Sequence, residues 1–157
     1  MSQPQNYLLN LYHKALKLPL GKYVFSKVFS RKAPYFATIN AVVHELRPNY
    51  CEVHFKKRKA VHNHIGTVHV IAICNGLEMA MGALAEASVP AHLRWIPKGM
   101  SVNYTAMANS DIRVIAECNP EDWQPGDLNV QVKALRDDDT VVVEGTIKLY
   151  VSEKPKK

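Results

Sequence analysis

The sequence predicts an α+β domain in which an antiparallel sheet wraps around one long central helix, with an additional N-terminal helix ahead of it. Three observations carry this. Residues 67 to 87 are almost continuously apolar over a length that suits a helix and exceeds a strand. Segments on either side alternate apolar and polar residues with the two-residue rhythm of half-buried strands. The opening segment spaces its apolar residues for a helix instead.

In chain order, NYLLNLYHKALKL at residues 6 to 18 places Leu8, Leu9, Tyr12, Ala15 and Leu16 at helical spacing, and Pro19 closes the pattern. A basic, aromatic arm follows, with Lys22, Lys27, Arg31 and Lys32 among Tyr23, Phe25, Phe29, Tyr35 and Phe36; packing on the rest of the domain is the expectation, and contact with a membrane surface is the alternative. From residue 35 the period changes, and Cys51, Val53 and Phe55 alternate with Glu52, His54 and Lys56. After the long helix, alternation returns at Val102 to Ala106, Val130 to Ala134 and Ile147 to Val151, with a more continuous apolar strand over 112 to 118. Asp137, Asp138 and Asp139 read as an acidic hairpin turn. Pro90 and the polar loop at 119 to 127 punctuate the pattern, and one domain is expected: helix and arm over 1–34, core over 35–152, tail over 153–157.

Composition narrows the function. A net charge of +6 suits nucleic acid, an anionic surface or a phosphate-bearing small molecule, and does not choose among them. Cys51, Cys74 and Cys118 are widely spaced with no CxxC pair, so neither a disulfide framework nor a zinc site is expected, and a reducing cytoplasm fits. His62, His64 and His69 lack the pairing of a zinc helix, so no metal is predicted, and no nucleic-acid motif is present. The longest apolar stretch, Val68 to Ala85, is broken by His69, Asn75 and Glu78, which argues against stable membrane insertion; the N-terminus lacks the order of a signal peptide.

The carboxylate of Glu78 is the anomaly. It sits midway along a helix whose apolar residues cover every face, where an unpaired charge is costly. With Gly66 before it and Thr67 as expected N-cap, the helix start offers free N–H groups and the positive end of the helix dipole, which suit a developing oxyanion. If His69 and Glu78 are both helical, their nine-residue separation puts them on roughly opposite sides and about 13 Å apart along the axis, so they do not meet in one chain. Two antiparallel copies of the helix in a twofold dimer would bring Glu78 of each chain towards the helix start of the other.

Asn63, then His69 six positions on, then Glu78 nine further, on one long helix flanked by antiparallel strands, resembles the hotdog-fold acyl-CoA thioesterases over roughly residues 35 to 152. The leading helix and the NHIGTVH wording resemble a thioesterase-like branch of those proteins. The resemblance implies that Glu78 is nucleophile or general base, that the Val70 N–H following His69 polarises the thioester carbonyl, and that Asn63 comes from the partner subunit. Many members carry glycines after the histidine where this chain has Val70 and Ile71, which bears on substrate size.

His64, Gly66 and Thr67 are then expected at the mouth of the site, with Lys57, Arg58 and Lys98 as candidates for the phosphates of coenzyme A, which is part of the substrate rather than a cofactor. A homodimer, or a tetramer built from it, is implied. A non-catalytic acyl-CoA binding or sensing protein is the alternative. His64 also precedes Glu78 by fourteen residues, the separation used by hotdog 3-hydroxyacyl dehydratases, but the proline-rich run that follows their histidine is missing, and this reading ranks below hydrolysis.

Overall fold

Alternation in sequence becomes alternation in burial: along Tyr50–Phe55, Cys51, Val53 and Phe55 face inward and their neighbours are half-buried. A computed structural model describes residues 6–155. Six strands, β1 (Val42–Arg47), β2 (Tyr50–Phe55), β3 (Leu93–Tyr104), β4 (Ile112–Glu117), β5 (Gly126–Leu135) and β6 (Val141–Glu153), form one antiparallel sheet in the order β1-β2-β4-β5-β6-β3. Its inner face closes on the central helix, α3 (Val70–Ser88), whose Leu77, Met79, Ala80, Ala83 and Leu84 are fully buried against Val53, Val114, Val130 and Ile147. This is the hotdog arrangement. α3 is long and apolar enough to cross a membrane by length and composition alone, but 67% of its most apolar window is buried inside the fold.

Three expectations change. The segment after Pro19 is a second helix, α2 (Gly21–Lys32), packed with α1 (Tyr7–Ala15) and followed by a 3-10 helix at Pro34–Ile39 in place of the start of a strand. Its Phe25 buries against Tyr12 with ring centroids 5.0 Å apart, so a 3.6-residue spacing hidden among basic residues governs there. The central helix begins at Val70 with His69 as N-cap, because Thr67 is buried and bonded into the preceding loop. The helix is not buried on every side either: Ile71 is 52% exposed, and Cys74 and Glu78 are half-buried on the same stripe.

The two sheet edges differ. On β1 the Val43 N–H donates to Ser26 Oγ of α2 at 2.8 Å, so a helix covers that edge. The twelve-residue β3 pairs with β6 on one side, and no described strand lies on the other. The acidic segment forms the β5–β6 turn as expected, with Asp139 at φ 64 and Arg136 bonded to Asp138.

Candidate active site

The loop before α3 is built by its own side chains. Asn63 Oδ1 accepts the Thr67 N–H at 3.1 Å and the Ile65 N–H at 3.2 Å, while Asn63 Nδ2 donates to Thr67 Oγ1 at 2.7 Å. The Asn63 N–H donates to the Thr67 carbonyl at 2.9 Å, and the Gly66 N–H to the Asn63 carbonyl at 3.1 Å. Gly66 has φ +78, a conformation that glycine adopts without the penalty of a side chain. The tip of this closed turn is exposed His64 and Ile65.

Past the turn, Val68 donates to the Ala108 carbonyl at 2.8 Å and His69 to the Val61 carbonyl at 2.7 Å, fastening the chain on both sides before the helix starts. His69 Nδ1 then accepts the Ile71 N–H at 3.1 Å, which turns Nε2 away from the helix. The Val70 and Ala72 N–H groups find no hydrogen-bond partner among the described residues. Free donors at the positive end of a helix are what an oxyanion requires.

Glu78 lies two turns beyond Ile71 on nearly the same line of α3, half-buried and without ion pair or hydrogen bond to any described residue. Cys74, on the same stripe, has its thiol pKa pushed up by burial. At Gly82, one turn further, an added Cβ would meet nothing within 4 Å. Space for a side chain thus remains at Gly82, on the turn of α3 after Glu78. Within one chain the structure brings Asn63, His64, Gly66, Thr67, His69 and Val70 together; Glu78 stands apart from them on the helix.

The basic candidates separate. The Lys57 N–H donates to Asp111 Oδ1 at 2.8 Å beside a Lys56–Asp111 ion pair at 2.7 Å, and Arg58 Nη2 donates to the Thr38 carbonyl at 2.7 Å. These bonds fix the run beside the loop. Lys98 instead pairs with Asp127 at 3.2 Å over the Tyr150 ring, so its partners lie on β5 and β6 and none on the loop.

Sequence reasoning overlooked several polar groups. Asn75 is buried and donates to the Tyr35 carbonyl and Thr38 Oγ1, tying α3 to the 3-10 helix. On the outer face of β1 and β2, His44 and His54 stack at 4.3 Å, and Glu52 accepts from Tyr50 and meets His54 Nε2 at 2.5 Å. Burial alone would raise the Glu52 pKa, yet hydrogen bonds from His54 and Tyr50 hold it below its usual value. A register shift between Val43 and Glu45 leaves both His44 and Glu45 exposed between buried Val43 and Leu46, an irregularity that no sequence period announces.

Comparison with known proteins agrees with this fold. No functionally curated protein matches the chain. A structural-genomics target of known crystal structure is 44% identical, with a TM-score of 0.83 over 94% of this chain and 99% of the other. A Pseudomonas aeruginosa protein described as a probable thioesterase is 20% identical, with a TM-score of 0.75 over 87% of this chain and 97% of that one. A thioesterase family protein from Silicibacter pomeroyi is 18% identical, with a TM-score of 0.69 over 84% and 99%. The family model for DUF4442, a domain of unknown function, matches residues 21–151. The chain therefore belongs to the DUF4442 family and shares the hotdog fold of the two proteins described as thioesterases.

Proposed function

We propose that the protein hydrolyses an acyl-CoA or related acyl thioester at a site shared between two subunits. The observation that carries this reading is the separation within one chain of a half-buried, unpartnered Glu78 from the free Val70 N–H at the start of the same helix. Each lacks what the other supplies. The uncovered edge of β3 supports an assembly by strand pairing there, because the β1 edge is occupied by Ser26 and α2. With the two α3 helices antiparallel, Glu78 of one chain would face the helix start of its partner.

In the general-base form, water attacks the thioester carbonyl carbon as Glu78 takes its proton, and the carbonyl oxygen becomes an oxyanion held by the Val70 N–H. Collapse breaks the carbon–sulfur bond, and the proton passes from Glu78 to the leaving thiolate. In the nucleophile form the carboxylate itself attacks, and water hydrolyses the resulting anhydride. His69, with Nδ1 fixed by Ile71, sets the direction of the helix start in both.

Release of free thiol from a panel of acyl-CoAs tests the reading. At least one member should be turned over, and Glu78→Gln should reduce turnover by roughly a hundredfold or more. Unchanged turnover in that variant would refute the mechanism. One observation favours a second reading, a binding protein without turnover: the Asn63 amide is already committed to Thr67 and Ile65. Tight binding of one panel member with no hydrolysis of any would establish it.

A further inference from the structure

The excess positive charge is not spread over the molecule. Residues 1–44 contain Lys14, Lys17, Lys22, Lys27, Arg31 and Lys32 and no acidic residue, while the other fourteen basic residues are matched by all fourteen acidic ones. The whole net charge of +6 therefore belongs to the N-terminal helices. Among the described residues none of these six side chains forms an ion pair.

The same region exposes apolar side chains. At the corner between α1 and α2, Leu16, Leu18 and Leu20 are 43%, 57% and 80% exposed, and Tyr23 and Val24 continue the patch along α2. The corner is rigidly built. The Leu18 N–H donates to the Ala15 carbonyl at 2.9 Å and the Gly21 N–H to the Leu18 carbonyl at 3.1 Å. Gly21 admits no side chain, since a Cβ there would lie 1.8 Å from the Ala15 oxygen. Leu20 holds φ 57, a conformation that costs a leucine energy and leaves its side chain in solvent. A turn tied this closely that still points three leucines outward is made to present them.

We propose that this corner docks on an anionic lipid bilayer, the leucines entering the acyl boundary and Lys14, Lys17 and Lys22 meeting the headgroups. Leucines flanked by unpaired lysines match a surface that is apolar below and negative above. A nucleic acid would engage the lysines and leave the leucines in water. The position, on the α2 side of the sheet and away from the β3 edge, leaves the corner accessible in the dimer proposed above. The inference does not depend on the thioesterase reading.

Cosedimentation with vesicles tests it, using the full chain with phosphatidylcholine alone and with phosphatidylcholine containing a quarter phosphatidylglycerol. The wild type should partition onto the anionic vesicles at low salt, at least tenfold better than onto the neutral ones. Leu18→Ser with Leu20→Ser should weaken that partition tenfold or more while the folded state, checked by circular dichroism, is kept. Lys14→Gln with Lys17→Gln and Lys22→Gln should abolish the preference for anionic lipid. No partition of the wild type, or partition indifferent to the leucine pair, overturns the proposal. So does a fall in oligomer size of the leucine variant on gel filtration, which would make the corner an interface between copies of the chain.

Discussion

Asn63 and Thr67 show how a few side chains set the place where a helix can start. Their reciprocal bonds close a turn of five residues, and the helix then begins only after His69 caps it. Thr67→Val keeps the shape but removes the hydroxyl that accepts from Asn63 Nδ2. We expect a loss of about 1–2 kcal/mol in urea unfolding, since the half-buried Asn63 amide loses a partner. Thiol release should fall as well, because the Val70 N–H is aimed by the same turn. Gly21→Ala is a sharper case: overpacking against the Ala15 oxygen should cost roughly 1–3 kcal/mol and lower Tm. The spacing of Asn63, His69 and Glu78 was legible from the sequence, as was the helix that bears the acid. The committed state of the Asn63 amide was not, because hydrogen bonds within a loop leave no period behind.

At the scale of elements, the basic run at the end of β2 is held by a residue far along the chain. Asp111, just before β4, accepts from Lys56 Nζ and from the Lys57 N–H, and the Lys56 ammonium holds its carboxyl below the usual carboxylate range. A depressed folded-state pKa contributes stability above the unfolded value, about 3.9, and that contribution is lost as pH falls through the folded value. Asp111→Asn should therefore be less stable than wild type at pH 7, by about 1 kcal/mol for a partly exposed pair. The difference should shrink on acidification below pH about 4 and vanish once the wild-type carboxyl is protonated, as read by thermal unfolding across pH. Ser26→Ala tests the covered edge: the Val43 N–H would lose its acceptor, costing roughly 1–3 kcal/mol. Neither contact is visible in local sequence. Asp111 and Lys57 are separated by 54 positions, and Ser26 lies in a segment that reads only as a basic arm.

For the whole molecule, the proposed sharing of the site between two subunits makes a prediction that one chain alone would not satisfy. Glu78→Gln and Asn63→Ala are each expected to be inactive. If each site takes Glu78 from one chain and Asn63 from the other, coexpressing the two variants in equal amounts restores one intact site in every mixed dimer, about a quarter of wild-type activity. Sites contained within single chains would recover nothing. A charge placed on the free edge of β3 at an exposed position, as in Ser101→Lys, should shift the protein towards monomer in sedimentation velocity and reduce thiol release with it.

What the sequence by itself determined is the fold class and the reactive candidates. Alternation and helical spacing are local, and a carboxylate within an apolar helix stands out without coordinates. The second N-terminal helix escaped because Lys22, Lys27, Arg31 and Lys32 interrupt its apolar face, and only packing against α1 and β1 shows which side is buried. The exact helix start, the half-open stripe carrying Glu78, the covered and uncovered sheet edges and the leucine corner were all decided by tertiary structure. Each depends on which distant segment reaches a given backbone group or side chain, and proximity in space is not written in proximity along the chain.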